Sequence, residues 1–418
     1  MCNKKLLILG FKILCILSEC IKFFLMQKLS QQKGYVMQTK TKVLSSILAL
    51  AGLFGIANLN VKPVYAIPTT ENCRASVLIE RKSKKVLKEN NSHTKYPIAS
   101  VTKLMTVLIT LENVDNNTIT LDDMVMVSKN ASGMGGSQIF LDADTEYKLG
   151  DLLKSVIVCS ANDSSVALAE YISGSESNFV KSMNTRAKEL GMNDTNYVNC
   201  TGLPAPEGYS SAYDQALLLT NVLDYDVYHQ YSSIWNEEFV HPTGRTTQMT
   251  NTNKLSRFYD GCIGGKTGST NEAKYCLAVG ARRADMELVS CVLGADTSPN
   301  RFKIASDLLN YGFENYTSQT ILSNKDLSNI KIAIKGKKDV CTLSCERDYT
   351  IVAKRDETPN YSLKFNLPNQ LKSVNKGEVV GNVEITLDGV VQDSINLIAN
   401  ETIKEASIWD YFKDIVKN

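Results

Sequence analysis

Histidine is scarce in this chain. Three in 418 residues, His93, His229 and His241, disfavour a histidine-rich metal site. They also leave few partners for a Ser-His-Asp triad, and the GxSxG elbow that presents such a serine is missing. An excess of either charge is missing as well. Forty-six Lys and Arg face 44 Asp and Glu, a formal net charge of +2, so no basic surplus points to nucleic acid. The eleven cysteines lack zinc spacing. Several sit inside apolar strings, as in Tyr275-Cys-Leu-Ala and Val289-Ser-Cys-Val-Leu, which reads as small buried side chains. Cys341 and Cys345 are candidates to pair across a tight loop. A serine enzyme built on this sequence would take its base from lysine.

No uninterrupted apolar run is long enough to span a bilayer. Leu6 to Met26 is broken by Lys12, Glu19 and Lys22. The next segment reads as an export signal. Met37-Gln-Thr-Lys-Thr-Lys42 is basic, Val43 to Ala57 is mostly apolar, and Val64-Tyr65-Ala66 precedes a plausible cut. Residues 1–66 are therefore expected to be a leader, with Met37 as the true start and 37–66 as the signal peptide; the alternative is a long anchor that uses both apolar segments. An exported product is expected.

What is present is a set of three short strings in one order: Ser100-Val-Thr-Lys103, Ser160-Ala-Asn162 and Lys266-Thr-Gly268. SxxK recurs by accident, at Ser30, Ser92, Ser328 and Ser373, whereas KTG occurs once. Only Ser100 opens an apolar helical pattern upstream of the other two strings. The apolar residues of that pattern are Val101, Leu104, Met105, Leu108 and Leu111. Residues three apart share a helix face, so Ser100 and Lys103 present hydroxyl and amine on the same side. Backbone N–H groups gather at that helix start and suit an oxyanion. A lysine can remove a serine proton only when burial or a second cation disfavours its charge, and Lys266 is a candidate for that cation. Ser160 can relay a proton, and Asn162 can meet a substrate amide. Lys266 and Thr267 can hold a carboxylate, and Gly268 lets a backbone approach closely. Singly, these residues would be an N-cap, a solvated lysine, a turn and a strand end. Their ordered combination carries the chemistry.

The rest of the chain reads as α+β, then all-β, then helical. A hairpin is expected at Ala75–Glu80 and Lys85–Lys88. Helices are expected at Asp151–Cys159, Ser164–Ile172 and along Phe179, Met183, Ala187 and Leu190, with Gly191 ending the last. Strands follow at Tyr275–Ala281 and Met286–Leu293, then a helix from about Asn300 to Tyr311 closed by Gly312. Alternation at Ile330–Ile334, Leu363–Leu367 and Val383–Leu387, with an Asp388-Gly389 turn, predicts a β-rich domain over 319–400. In the tail, 401–418, Ile408, Tyr411, Phe412, Ile415 and Val416 share one side of a helix. That helix would lie on a membrane surface or dock on its own protein.

These strings resemble the penicillin-binding and β-lactamase-like serine transferases, with Ser-Ala-Asn in place of Ser-Asp-Asn. Within them the chain is similar to the low-molecular-mass D-alanyl-D-alanine carboxypeptidases. The likeness is carried by Tyr96 to Thr106, Ser160-Ala-Asn-Asp163, Phe179 to Met192, Thr201-Gly-Leu203, Thr252-Asn-Lys-Leu255 and Gly265 to Gly268. The resemblance implies a transpeptidase-type domain over 67–318, an antiparallel sheet with a helical subdomain. A second β domain and an anchoring tail helix would follow, at the outer face of the cytoplasmic membrane or in the cell wall. It implies that Ser100 attacks the bond between the last two D-alanines of a peptidoglycan stem peptide. Lys103 would be the base, Ser160 the relay and Asn162 an amide contact. Lys266, Thr267 and Arg301 would hold the carboxylate. Ser100 and Ser269 N–H groups would form the oxyanion hole. β-Lactams would acylate Ser100. No metal or cofactor is implied. Two departures bear on substrate detail: Ser269 after KTG, and Asn271-Glu-Ala-Lys-Tyr275 without a glycine. Glu189 and Asn193 have the spacing of a β-lactamase water-activating pair. Glu189, however, falls at the end of a helix that matches the carboxypeptidases, which makes it a surface residue.

Overall fold

The computed structural model describes residues 70–409, apart from 325–326, 328–329, 335–339 and 406. The leader and the tail beyond Trp409 lie outside the described residues, and so does most of the expected tail helix. Among the described residues no helix is long and apolar enough to cross a membrane.

Five strands form an antiparallel sheet: β1 (Ala75–Glu80), β2 (Val86–Asn90), β3 (Cys262–Thr270), β4 (Lys274–Arg283) and β5 (Met286–Ala295), in the order β2-β1-β5-β4-β3. Both faces are covered, which is why β1 and β5 read as continuous apolar runs. Val77, Ile79, Val289 and Cys291 join the helical core on one face, and Leu78, Leu288 and Val292 join another core on the opposite face. Successive side chains of a strand point to opposite faces, so a two-sided burial favours apolar residues at consecutive positions, although Ser76, Glu80, Glu287 and Ser290 are buried polar exceptions on these strands. KTG lies on β3, the sheet's edge.

A helical layer fills the middle of the chain. Its helices are α1 (Lys103–Asp115), α2 (Leu149–Val158), α3 (Asn162–Ser173), α4 (Glu176–Glu189) and α5 (Ala212–Val222). α1 is buried on all sides from Lys103 to Leu111, the mark of a central helix. It does not begin at Ser100. A 3₁₀ turn, Ala99–Thr102, comes first. α4 runs as its stripe predicts, with Ser175 capping it and Gly191 left-handed beyond its end.

α6 (Ser298–Asn315) packs across the second face of the sheet. It runs through Gly312 instead of ending there. A Cβ at that position would stand 2.5 Å from Leu288 Cδ1 and 2.9 Å from Leu78 Cδ2. The glycine brings helix and sheet together, and no local signal distinguishes that use from a stop.

Past α6, β6 (Tyr316–Leu322) pairs with β9 (Tyr349–Lys354). A six-stranded sheet holds β7 (Lys331–Ile334), β8 (Val340–Cys345), β10 (Tyr361–Asn366), β11 (Gln370–Leu371), β12 (Val379–Leu387) and β13 (Val390–Ala399). The β12–β13 turn is Asp388-Gly389, both with positive φ. Cys341 and Cys345 stand four residues apart on the single strand β8. Extended chain separates their Cα atoms by roughly 13 Å, beyond disulfide reach, so they do not pair with each other.

Candidate active site

The turn that carries Ser100 is tightly wedged. Ala99 has a left-handed backbone at φ 48°. Gly202 lies against one side of it, where a Cβ would stand 2.0 Å from Ala99 O. Gly268 lies against another, where a Cβ would stand 2.6 Å from Ile98 O and 2.9 Å from the Ser100 nitrogen. The glycine of KTG thus lets the edge strand touch the turn that carries the serine. The Ser100 hydroxyl caps nothing. It takes a 3.0 Å hydrogen bond from Lys103 Nζ, which also donates to Thr201 O at 2.6 Å.

Lys103 is fully buried, and its pKa falls to about 7. Burial is the cause. The nearby Cys200, Cys159 and Asp163 push weakly the other way. Lys266 is buried too and is held well below the usual lysine range, first by burial and then by the charge of Lys103. Desolvation, rather than a second cation, therefore readies Lys103. Lys266 Nζ donates to Ser160 Oγ at 2.8 Å and to Thr267 O at 3.0 Å.

Ser160 sits between α2 and α3 with φ 66°, a left-handed serine that turns its hydroxyl toward β3. Asn162 opens α3. Its N–H donates to Ser137 O at 2.7 Å and its Nδ2 to Gly135 O at 2.6 Å, while its buried Oδ1 has no partner. Thr267 Oγ1 bonds Thr252 Oγ1 at 2.8 Å. The structure therefore brings Ser100 to Lys103, and Ser160 to Lys266, with Gly268 against the turn that carries Ser100.

Arg301 is placed differently from a carboxylate ligand open to solvent. Its side chain runs under β3, donating to Gly268 O (3.1 Å), Cys276 O (3.4 Å) and Ser298 Oγ (3.2 Å). Nε is buried without a partner. It holds the KTG strand from behind. Glu189 ends α4 in an ion pair with Arg186 at 3.0 Å, and it is exposed. The turn after KTG, which lacks the expected glycine, uses Lys274 at φ 56° instead.

Three contributors were not singled out from the sequence. Thr201 supplies the carbonyl that fixes Lys103. Thr252 partners Thr267. Asp163, fully buried, accepts from the N–H groups of Ile139 (3.1 Å), Leu141 (3.1 Å) and Ser164 (2.9 Å). It thereby anchors the segment whose Gly135 and Ser137 carbonyls hold Asn162. Burial raises its pKa against the pull of those donors. Thr201, Thr252 and Asp163 all stand in the matching strings, but only the folded contacts give them work. Among the described residues, no three His, Cys, Asp or Glu side chains gather closely enough to hold a metal ion.

A serine and a lysine sharing a hydrogen bond, beside a serine and a lysine from a KTG edge strand, define a penicillin-interacting acyl transferase of the serine type. A profile described as D-alanyl-D-alanine carboxypeptidase matches residues 63–297, and one for the C-terminal domain of penicillin-binding protein 5 matches 316–405. The chain belongs to the D-alanyl-D-alanine carboxypeptidase family. Among relatives, DacF of Bacillus subtilis is 36% identical over 343 residues, 81% of this chain and 88% of its own. DacC of Escherichia coli is 33% identical over 353 residues, 81% of this chain and 87% of its own. Penicillin-binding protein 5 of Haemophilus influenzae superposes with a TM-score of 0.67 at 29% identity, covering 81% of this chain and all of the other (100%).

Proposed function

We propose that the enzyme removes the terminal D-alanine of peptidoglycan stem peptides with Ser100 as nucleophile. Neutral Lys103 takes the Ser100 proton as Oγ attacks the carbonyl of the penultimate residue. The oxyanion lies against the N–H groups of Ser100 and Ser269, the latter on an edge strand that has backbone donors to spare. Ser160, backed by Lys266, passes a proton to the leaving nitrogen. D-Alanine departs, an ester remains on Ser100, and water hydrolyses it. Lys266 and Thr267 receive the terminal carboxylate, whose charge favours the protonated form of Lys266. Asn162 is the contact for a substrate amide. Arg301 and Gly268 position the strand.

The observation that carries this reading is the 3.0 Å contact between Lys103 Nζ and Ser100 Oγ, with that lysine wholly buried. β-Lactams would acylate the same oxygen. The site of action is the cell wall, outside the cytoplasmic membrane. The tail supplies a peripheral membrane contact through apolar residues such as Ile408 and Trp409, both of which are exposed.

Mass spectrometry of the purified enzyme tests this. Penicillin should add one acyl group to a peptide containing Ser100, and a stem-peptide analogue should lose one D-alanine. Ser100→Ala should abolish both, and penicillin labelling that survives in that variant would overturn the assignment.

A further inference from the structure

Of the three histidines, only His241 is buried, and it stands outside the set of side chains around Ser100. It follows the first strand of a hairpin, Asn236–Val240 and Thr246–Thr250. Its hydrogen bonds have one direction. Nδ1 lies 3.1 Å from Arg245 Nη2. A guanidinium can only donate, so Nδ1 accepts and the ring proton is on Nε2. Nε2 donates to Thr247 Oγ1 at 2.9 Å, and Thr247 Oγ1 donates in turn to Ile139 O at 3.0 Å. Arg245 Nη2 also donates to Phe140 O and, at 3.2 Å, to the Asp142 carboxylate.

Ile139, Phe140 and Asp142 belong to the segment whose Gly135 and Ser137 carbonyls hold Asn162. Residues 134–145 lie outside every helix and strand. Phe140 is left-handed at φ 63°, and its side chain is exposed. A bulky residue seldom adopts that backbone, and it persists only where its surroundings impose it. Asp163 grips the N–H groups of the segment, and the hairpin grips its carbonyls. Just past the hairpin, Thr252 bonds Thr267 on the KTG strand. One hairpin therefore touches both walls of the groove.

A second proton on the ring would sit on Nδ1, facing a guanidinium. Three titratable or charged groups face the ring: Arg245 in its own hairpin, Tyr147 on the strand Glu146–Lys148 with its hydroxyl 3.1 Å from Nδ1, and Asp142 with Oδ2 at 3.9 Å. Only Asp142 favours the added charge, and Arg245 is nearer. Burial first, and then Arg245, hold the His241 pKa below the usual 6.5, against the pull of Asp142. Arg245 is partly exposed and can swing into solvent, which would take its bonds to Phe140 and Asp142 away.

Resting on the proposed contact between Asn162 and substrate, we infer that neutral His241 is a positioning residue, which locks the Asn162 wall of the groove through Thr247 and Arg245 and unlocks it on protonation.

The test follows penicillin acylation of Ser100 and D-alanine release from a stem-peptide analogue between about pH 4.5 and 8, at a temperature where each protein is folded. Titration of Lys103 alone gives a slope of one in log rate against pH. The native profile should steepen below 6.5, the usual histidine value, leaving acylation at about pH 4.5 roughly tenfold below the single-proton line. Over the same range the Ile139 and Leu141 amides should lose protection from exchange beyond the intrinsic pH effect. His241→Gln keeps a donor for Thr247 and cannot gain a charge. It should acylate at near the native rate at about pH 7.5 and follow the single-proton line throughout, whereas His241→Phe should be slow at both ends. Arg245→Gln, on the exposed side, removes the repulsion and should also lose the break. A native profile that keeps a slope of one down to about pH 4.5 would overturn the lock. So would a break that survives in either glutamine variant. A break in penicillin acylation with no D-alanine release at any pH would support the lock and overturn the carboxypeptidase reading instead.

Discussion

Lys266 Nζ lies 2.8 Å from Ser160 Oγ, joining residues 106 positions apart in the chain. This bond ties the sheet's edge strand to the turn between α2 and α3. It places a second serine–lysine pair beside the first. In the mechanism proposed above, the two pairs divide the work of proton transfer, with one taking the proton at attack and the other giving it at departure.

Ser160→Ala removes the relay without touching Ser100 or Lys103. Positioned acid–base groups contribute about 10²–10⁴-fold. The acylation rate constant with penicillin should fall within that range while the protein stays folded. Stopped-flow acylation checks it, and a loss under threefold would remove Ser160 from the proton path.

As the proposed base, Lys103 acts in its neutral form, and its pKa of about 7 would set the limb of the pH profile. Below about pH 7 the neutral fraction drops tenfold per pH unit, so acylation should fall with acid and level off above about 8. A rate constant for penicillin acylation that stays level from pH 5 to 8 would contradict this.

The same depressed pKa affects stability. Between about pH 7 and the ordinary lysine value of 10.5, the unfolded chain binds a proton at this lysine that the folded chain does not. Stability contributed by this residue therefore rises with pH across that window. Lys103→Met should be inactive, should melt higher than the native enzyme at pH 7 by a few degrees (about 2–4 °C per kcal/mol), and should lose that part of the pH dependence. Calorimetry at pH 7 and 9 would show it.

Asp163→Asn keeps the shape of the side chain and replaces one acceptor oxygen with a donor amide facing backbone N–H groups. Leaving those buried donors unmatched costs about 1–3 kcal/mol. The melting temperature should drop, and exchange of the Ile139 and Leu141 amides should speed up. Acylation should weaken as well, because the segment holding Asn162 loosens. Unchanged amide protection at both residues would show that the carboxylate does not hold the segment.

Gly268→Ala would push a methyl group into the Ile98 carbonyl and the Ser100 nitrogen. Backbone must move, because neither neighbour is a flexible side-chain end. Acylation should fall by tenfold or more, since small displacements of reacting groups are costly. A variant with native acylation kinetics would mean that the edge strand need not touch the turn.

Much of this could be read along the chain. A strand with both faces buried declares itself by continuous apolar residues, and the Asp388-Gly389 turn by residues that tolerate positive φ. Ser100 and Lys103 met because a spacing of three residues suffices in the 3₁₀ turn that leads into α1. The glycines were harder. Gly191 and Gly312 look alike in sequence, yet one ends a helix and the other seats a helix on a sheet. Arg301 was visible as a residue but its work was not. Five N–H donors suit a substrate carboxylate as well as they suit the carbonyls of Gly268 and Cys276.

The sequence by itself determined that Ser100 and Lys103 share one side of a helical turn and that KTG occurs once. Those depend on residue type and short spacing, which local backbone geometry converts directly into contact. The tertiary structure alone decided that burial lowers the Lys103 pKa, that Lys266 reaches Ser160, and that Asp163 fixes the segment gripping Asn162. Desolvation and long-range hydrogen bonds depend on which distant segments surround a group, and no local pattern encodes that.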